Sequence, residues 1–355
     1  MLETTPEKRL ILGIDEAGYG PNLGPLVIAA SIWKVPARWE EGDWDPCLAG
    51  PTRAAPWKPG ASYLPLGDSK RLYQPSSGLM TLELGVWGLL KLCGIRPTTF
   101  ANLFPDFVQW SASLTTDPRS KPPLCSSRSP VQHAGACSTF AAQPWHEALI
   151  DKRIPSGDQV ATEVDLLLPP LVQRLNNRGV TLIGLRALIV TEPHFNALIS
   201  RWGSKGIVLS QLTLQLARHC LTSYAHDGIL PTEVFCDRHG GRRNYSGLLV
   251  DVFPEAWFEC RRCDRHRSSY TDPQRHLQFH FSVGGDRLPP VAAASMWAKY
   301  VRERSMECFN AFWTGHLPGL RPTAGYPVDA TRFAEAIAPT ARRLNITRHD
   351  YWRCK

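Results

Sequence analysis

Three short apolar segments, far apart in the sequence, each lead into an acidic residue, and this pattern constrains the fold more than any other feature. The last of them alternates strictly between apolar and polar residues, as a half-buried strand does. The predicted strands cover residues 9–15, 233–237 and 277–283, and the acidic residues are Asp15 with Glu16, then Asp237, then Asp286. Since ligand crevices of open α/β sheets form where neighbouring strands end, we expect these carboxylates to lie close together.

The segments between these strands predict an α/β or α+β core. A second strand over 26–33 follows the first after a short connection rich in Gly, Pro and Asn, which favours antiparallel pairing. Residues 181–190 predict another strand. Apolar residues at helical spacing predict helices over 79–90, 160–175 (interrupted at Pro169-Pro170), 209–220 and 291–313.

Two segments differ in composition from the rest. Residues 35–65 are rich in Pro, Trp and Gly and are predicted to form a surface insertion. Residues 112–146 are dominated by Ser, Pro, Thr and Ala without periodicity, which predicts a long loop rather than a domain. We find no internal repeat, and therefore expect one domain over 1–355 with a helical C-terminal region from about 314.

Composition narrows the class of protein. Of the 355 residues, 43% are apolar and 20% charged, which excludes a disordered, collagen-like or coiled-coil protein. No apolar run approaches the ~20 residues of a membrane span, and the first residues lack a signal peptide's features. We therefore expect a cytoplasmic protein without a membrane partner, whose ten cysteines are reduced thiols. A formal net charge of +8 fits either a polyanionic partner such as nucleic acid or a merely basic surface.

A cluster of four carboxylates predicts a site for cations. The anions would repel one another, and carboxylate oxygens are hard ligands that suit Mg²⁺ or Mn²⁺. Two such ions ~4 Å apart stabilise both the attacking and the leaving oxygen when a phosphodiester is displaced in line. The alternative is structural, since Asp is common in turns and at helix N-caps.

Several motifs resemble those of the ribonuclease HII family. Residues 13–25 read GIDEAGYGPNLGP, close to the family's first signature, and residues 68–72 read DSKRL, close to the segment that follows it. Residues 292–303, AAASMWAKYVRE, are similar to the family's Ala-Ser-Lys helix. Residues 192–196 weakly echo a later stretch with an Asn, and 325–327 resemble the segment beyond the helix. The motifs occur in the family's order.

The resemblance implies a ribonuclease H-like mixed sheet flanked by helices, with a helical C-terminal extension. It implies a metal-dependent endonuclease that hydrolyses the RNA strand of RNA–DNA hybrids or ribonucleotides embedded in duplex DNA. Products would end in 5′-phosphate and 3′-hydroxyl, the cofactor would be Mg²⁺ or Mn²⁺, and we expect a monomer. The family's catalytic and metal-binding acids carry over to Asp15, Glu16, Asp237 and Asp286. Asp237 is the weaker match, because it lies 49 residues before Asp286, a longer interval than is usual in the family.

The resemblance departs from the family pattern in the residues that would recognise the substrate. Tyr19 stands between two glycines where the family has Arg or Lys, and Ala324 replaces a Lys. The family's following His falls at Thr331, whereas Tyr326, whose ring packs on a sugar in the family, is retained. The predicted substrate-binding set is Gly18, Tyr19, Gly20, Lys70, Arg71, Lys299, Arg302 and Tyr326.

A pattern resembling a zinc finger is considered and set aside. Cys260 and Cys263 are followed at finger spacing by His276 and His280. The two histidines overlap the predicted alternating strand, where four residues span ~13 Å, too far for ligands of one ion. The other interpretation of this region is a basic hairpin over 261–267 that touches a nucleic-acid backbone.

Two other functions remain as alternatives. One is a non-catalytic protein that binds RNA–DNA hybrids or other nucleic acid, because Tyr19 and the insertions depart from the family. The other is an ATP-using phosphotransferase of the actin-like fold, whose phosphate loop also follows a strand ending in Gly-x-Asp. Glu16 would place a second acid beside the phosphates, and no second phosphate loop is found, so this function is disfavoured.

Overall fold

The architecture is built around one seven-stranded sheet. The computed structural model describes residues 8–74, 78–103, 143–225 and 230–354. Across the sheet the strands follow the order β5-β2-β1-β6-β9-β8-β7, and β3 and β4 form a separate two-stranded pair. The strands are β1 Lys8–Ala17, β2 Leu26–Pro36, β3 Thr52–Arg53, β4 Leu64–Pro65, β5 Thr181–Val190, β6 Thr232–Asp237, β7 Glu259–Cys263, β8 Arg267–Asp272 and β9 Leu277–Ser282.

Strand directions make the sheet mixed. β1, β6 and β9 run parallel to one another, whereas β2 is antiparallel to both β1 and β5. β8 is antiparallel to β9 and to the edge strand β7. The antiparallel start of the sheet is therefore confirmed, as is the predicted mixed α/β sheet flanked by helices.

Helices cover both faces of the sheet. In chain order they are α1 Trp44–Leu48, α2 Ser69–Leu72, α3 Met80–Leu92, α4 Pro144–Ile150, α5 Asp158–Asn177, α6 Glu192–Trp202, α7 Lys205–Tyr224, α8 Ser246–Val252, α9 Pro289–His316, α10 Pro327–Arg343 and α11 Arg348–Tyr351. Helices α3, α5, α9 and α10 contribute to one buried apolar cluster, and α6, α7 and α8 contribute to the other. Among the described residues, no helix combines the length and the apolar character that a membrane span requires.

The central strand β1 supplies side chains to both clusters, because successive residues of a strand point to opposite faces. Leu10, Leu12 and Ile14 face the α7 side, whereas Ile11 and Ala17 face the α9 side. This alternation places Asp15 and Glu16, which follow Ile14, on opposite faces of the same strand end.

Three predictions about individual segments differ from the structure or lie outside it. Trp39 and Trp44 are buried, so residues 35–65 contribute to the core as well as to the surface. Helix α5 continues through Pro169-Pro170. Both prolines are exposed, so the carbonyls left without helical donors can face water. Of the predicted loop 112–146, residues up to 142 lie outside the described residues, and the last ones belong to α4 and its N-cap.

The contact between β1 and α9 depends on a residue without a side chain. A Cβ atom at Gly13 would lie 2.1 Å from the carbonyl carbon of Pro290 and 2.3 Å from the amide nitrogen of Val291. The first turn of α9 therefore rests directly on the β1 backbone.

Gly13→Ala is expected to lower the free energy of unfolding by about 1–3 kcal/mol, because two backbone segments would have to move apart. Urea denaturation measures this change. Gly315→Ala is the matched control, since that glycine lies in α9 with open space around its Cβ position. Equal stability of the Gly13 variant and the parent would contradict the close approach.

Candidate active site

The strand register places Asp15 beside Asp237. β1 and β6 pair in parallel with Ile14 opposite Cys236, so the next residues on both strands are the two acids. Asp15 shares the face of Gly13, which lies against α9, and Asp237 shares the face of Phe235, which belongs to the same apolar cluster. Both carboxylates therefore leave the ends of adjacent parallel strands toward α9.

Asp286 joins them through a tight turn after β9. Gly284 adopts a left-handed conformation with φ of 67°, and Asp286 lies in the short 3₁₀ helix Gly285–Arg287 that follows. The amide of Gly285 donates a hydrogen bond of 2.8 Å to Oδ1 of Asp237. The turn that carries the fourth acid is thus tied directly to the third.

Burial and neighbouring charges raise the pKa values of three of these acids. Burial raises the pKa of Asp15 to about 7, and the charges of Asp237 and Asp286 add to this effect. Burial, then Asp15 and Asp237, raises the pKa of Glu16 well above its ordinary value. The pKa of Asp286 is raised by burial and by the neighbouring carboxylates, including Asp68. In Asp15, Glu16 and Asp286 the charged form is therefore disfavoured, first by burial and then by neighbouring carboxylates.

The donor set fits a divalent cation. Carboxylate oxygens are the ligands that Mg²⁺ and Mn²⁺ prefer, and a cation would offset the mutual repulsion that adds to the effect of burial on these pKa values. Glu16 leaves β1 on the face opposite Asp15. Within the described ranges, no three Asp, Glu, His or Cys side chains are already gathered in a geometry that could hold a metal ion.

The segment 68–72 lies at this site. Asp68 caps α2 by accepting a hydrogen bond of 2.9 Å from the amide of Lys70. Although burial alone would lower the pKa of Lys70, it is raised because Asp286, Asp68 and the acids on β1 and β6 surround the ammonium group. Lys70 and Arg71 are both exposed, so the ammonium group of Lys70 lies between the acids and solvent.

Two hydroxyl groups link this segment to the acids. Ser69 Oγ and Ser295 Oγ lie 2.9 Å apart, and Ser295 hydrogen-bonds to the carboxylate of Asp15. Sequence reasoning quoted both serines and Asp68 as parts of motifs without assigning them to the site. The motifs contain both serines, but no local pattern predicts a contact between residues that lie 226 positions apart in the sequence.

The glycine-rich connection after β1 holds the predicted recognition residues. Gly18 has φ of 87°, and a Cβ atom there would lie 2.4 Å from Nε of Arg302. Lys205 Nζ lies 5.0 Å from the centre of the Tyr19 ring. Gly20 is exposed beside Tyr326, a residue that is 56% exposed. Gly20 and Tyr326 therefore form one accessible surface.

Arg302 and Lys299 are engaged within the protein. Arg302 is 2% exposed, and its Nη2 donates to the carbonyls of Leu23 at 3.3 Å and Ala324 at 3.2 Å. Lys299 Nζ forms an ion pair of 2.6 Å with Glu303. In this structure the buried guanidinium of Arg302 hydrogen-bonds to the glycine-rich connection at Leu23.

A buried arginine near the C-terminus also holds this connection. Nη2 of Arg353 donates hydrogen bonds to the carbonyls of Gly18 and Pro21. The amide of Arg353 donates to the carbonyl of Asn22 at 2.8 Å, and its guanidinium lies 5.0 Å from the ring centre of Phe195. Burial, together with the charge of Arg302, lowers the pKa of Arg353 to about 9. Sequence reasoning gave no sign of this residue.

The segment 192–196 supports the same connection from the other side. Glu192 is fully buried and accepts a hydrogen bond of 3.1 Å from the amide of Gly24. Asn196 donates to the carbonyl of Trp352 at 2.8 Å and accepts from the amide of Cys354 at 2.7 Å. The segment with the weak motif resemblance thus contains residues that hydrogen-bond to the glycine-rich connection and to residues 352–354.

The residues of the finger-like pattern lie on two strands, β7 and β9, and His276 lies in the turn before β9. Cys260 and Cys263 are exposed on β7, and His280 lies on β9 with Nδ1 3.0 Å from Oγ of Ser269 on β8. The ring of His280 stacks on Phe235 at 4.8 Å. The histidine therefore packs within the sheet, with β8 between it and the cysteines.

Replacing Arg353 with Met is expected to lower the free energy of unfolding by about 1–3 kcal/mol, because buried carbonyls of the glycine-rich connection lose their donor. Thermal denaturation and limited proteolysis measure the effect. Arg343→Met, at an exposed position on α10, is the control. Unchanged stability of the Arg353 variant would show that these hydrogen bonds do not contribute to the free energy of unfolding.

Comparisons with known proteins give likenesses of structure. No protein-family model and no curated protein sequence matches the chain. A ribonuclease HII from Archaeoglobus fulgidus, solved in a complex with PCNA, is 12% identical, with 98% of this chain and 94% of that chain covered and a TM-score of 0.37. Ribonuclease H2 from Pyrococcus horikoshii OT3 is 13% identical, with coverages of 96% and 92% and a TM-score of 0.37. Bst-RNase HIII in complex with Mn²⁺ is 17% identical, with coverages of 97% and 66% and a TM-score of 0.38.

Proposed function

We propose that this protein is a metal-dependent endonuclease that hydrolyses RNA in RNA–DNA hybrids or at ribonucleotides embedded in duplex DNA. Its products carry 5′-phosphate and 3′-hydroxyl ends. The observation that carries the proposal is the register that sets Asp15 beside Asp237, with the Asp286 turn hydrogen-bonded to Asp237. The motifs that resemble ribonuclease HII contribute residues to this same strand edge.

Asp15, Glu16, Asp237 and Asp286 would hold the cations in this proposal. Bound Mg²⁺ or Mn²⁺ supplies a nucleophilic water at neutral pH and neutralises the charge that develops on the phosphate oxygens. Ser295 would orient the Asp15 carboxylate through its hydrogen bond.

The chain's own residues also receive the substrate. Lys70 lies among the carboxylates and offsets part of their repulsion toward an incoming phosphate. The accessible backbone at Gly20 and the exposed Tyr326 would contact a sugar next to the scissile bond. Arg302 and Arg353 hold the connection that carries Gly18 and Gly20. Recognition therefore depends on a rigid loop more than on charged loop side chains.

The alternative is a nucleic-acid binding protein that does not cut. Tyr19 favours it, because the ring occupies the place of a basic side chain and is covered on one side by Lys205. Both functions predict binding that weakens as salt rises, so only cleavage separates them.

Asp15→Asn and Asp237→Asn are each expected to reduce cleavage on the order of 100-fold or more, because each removes a charge that the cations need. The substrates are an RNA–DNA hybrid, duplex DNA with one ribonucleotide and plain duplex DNA, each with Mg²⁺, Mn²⁺ or EDTA. Asp151→Asn, at an exposed position beyond α4, is the control.

The outcomes of this panel are distinct. If the parent cleaves and both Asn variants cleave equally well, the assignment of Asp15 and Asp237 as catalytic residues is wrong. Tight binding by the parent with no cleavage under any metal would favour the alternative.

Tyr326→Ala is expected to reduce kcat/KM on the single-ribonucleotide substrate about tenfold, since an aromatic contact of this kind contributes ~1–3 kcal/mol. Its exposure means that the melting temperature should not change. Steady-state kinetics and a thermal melt test both points, with Val328→Ala, an exposed neighbour on α10, as the control. An unchanged kcat/KM would show that Tyr326 does not contact the substrate.

A further inference from the structure

The sheet continues past the candidate site into a hairpin formed by β7, the turn 264–266 and β8, here named the basic hairpin. Strand β8 is antiparallel to β9, and Arg267 at its start pairs with Ser282 at the end of β9. The turn therefore lies at the same edge of the sheet as Asp237 and Asp286. With strands ~4.8 Å apart, two strand spacings separate β8 from β6, so the turn lies about 10–15 Å from Asp237.

The tip of the hairpin is anchored to the strand that carries Asp237. Arg238, the next residue, is 9% exposed, and its guanidinium donates to the carbonyls of Arg265 at 2.8 Å and Asp264 at 3.0 Å. The amide of Val283 donates to the carbonyl of His266 at 2.9 Å. Any ligand of the tip is thereby held at a fixed distance from the acids.

The turn itself has a defined conformation. The carboxylate of Asp264 accepts hydrogen bonds from the amides of His266 at 2.7 Å and Arg267 at 2.8 Å. Its own amide donates to the carbonyl of Arg267 at 3.0 Å, which closes a four-residue turn. Arg265 and His266 stand exposed at the apex.

Positive charge is concentrated at this end of the hairpin. The loop after β6 adds Arg242 and Arg243, and the carbonyl of Arg243 accepts a hydrogen bond of 2.6 Å from Ser268 Oγ on β8. Residues 242–243 and 259–267 together contain six arginines and two acids. Arg261, Arg262 and Arg267 have acidic partners, whereas no described acidic side chain pairs with Arg242, Arg243 or Arg265.

Protection of the sheet edge alone does not account for this distribution. Charged side chains on an edge strand discourage pairing with other chains, and they do so along its whole length. Here the arginines of the hairpin cluster toward the candidate site, while its opposite end carries Glu259 and the buried Asp272, which is paired with Arg275. The positive charge of the hairpin is therefore concentrated at the end that lies nearer to Asp237 and Asp286.

We propose that the basic hairpin binds the phosphate backbone of the duplex that occupies the candidate site. This inference rests on the proposed function and names a substrate contact that the motifs do not assign. At ~3.4 Å per nucleotide, the tip reaches phosphates about three to four nucleotides from the scissile bond. The hairpin lies in the long interval between Asp237 and Asp286, where this chain exceeds the usual length of the family.

The test is the double variant Arg243→Ala with Arg265→Ala, both exposed and without a described acidic partner. Fluorescence anisotropy in EDTA measures binding of a labelled RNA–DNA duplex between 50 and 200 mM KCl. Removal of two phosphate contacts should reduce the slope of log K against log[salt] by about 2 and weaken binding about tenfold at the lower salt. In Mg²⁺, the loss should appear in KM. Lys at both positions should restore binding.

The matched control removes two charges at the opposite edge of the sheet. Lys34 and Arg38 are exposed, and Lys34 pairs with Leu10 near the start of β1, far from the acids. Lys34→Ala with Arg38→Ala should leave the salt slope unchanged. An equal loss in both double variants would indicate a non-specific charge effect and overturn the inference.

The outcomes separate this inference from the proposed function. If the parent cleaves and the Arg243 and Arg265 variant keeps its salt slope and KM, the hairpin contact is wrong and the endonuclease stands. If the parent binds the duplex but never cleaves it, and the Arg243 and Arg265 variant loses about 2 in salt slope, the endonuclease is wrong and the hairpin contact stands. Absence of duplex binding by the parent contradicts both.

Discussion

The parallel pairing of β1 with β6 is the interaction on which the rest of the structure depends. It sets Asp15 and Asp237 side by side at adjacent strand ends, and β9 extends the same edge so that its turn delivers Asp286. Helix α9 packs against β1 because Gly13 leaves room for its first turn, and the same helix carries Ser295 to Asp15. A change of register by one residue would turn the two acids to opposite faces.

Charge is distributed around this edge in a way that suits an anionic substrate. Burial and neighbouring carboxylates raise the pKa values of Asp15, Glu16 and Asp286, and Lys70 lies among these acids. The basic hairpin begins two strand spacings from β6, to one side of the acids. Acids that would repel a phosphate chain when bare become attractive once cations are bound, while the arginines attract the chain in either case. In this account the carboxylates bind the cations, and the basic hairpin attracts the phosphate backbone.

Much of this arrangement could be predicted from the sequence, because it depends on local periodicity and on short motifs. The strands at 181–190 and 277–282 and the helix beginning near Pro289 follow from their apolar patterns. Other features depend on contacts between distant residues that no local pattern encodes. Arg353 reaches Gly18 across 335 positions, and Trp39 and Trp44 enter the core from a segment whose composition predicts surface. Arg302 has the spacing of a surface residue on α9, yet the glycine-rich connection buries it.

The central claim is that the carboxylates at this strand edge share divalent cations. Anomalous diffraction from crystals grown with Mn²⁺ tests it most directly. The account predicts anomalous density in contact with both Asp15 and Asp237, with Asp286 or Glu16 completing the ligands. Bound manganese elsewhere in the molecule, with none between Asp15 and Asp237, would contradict it.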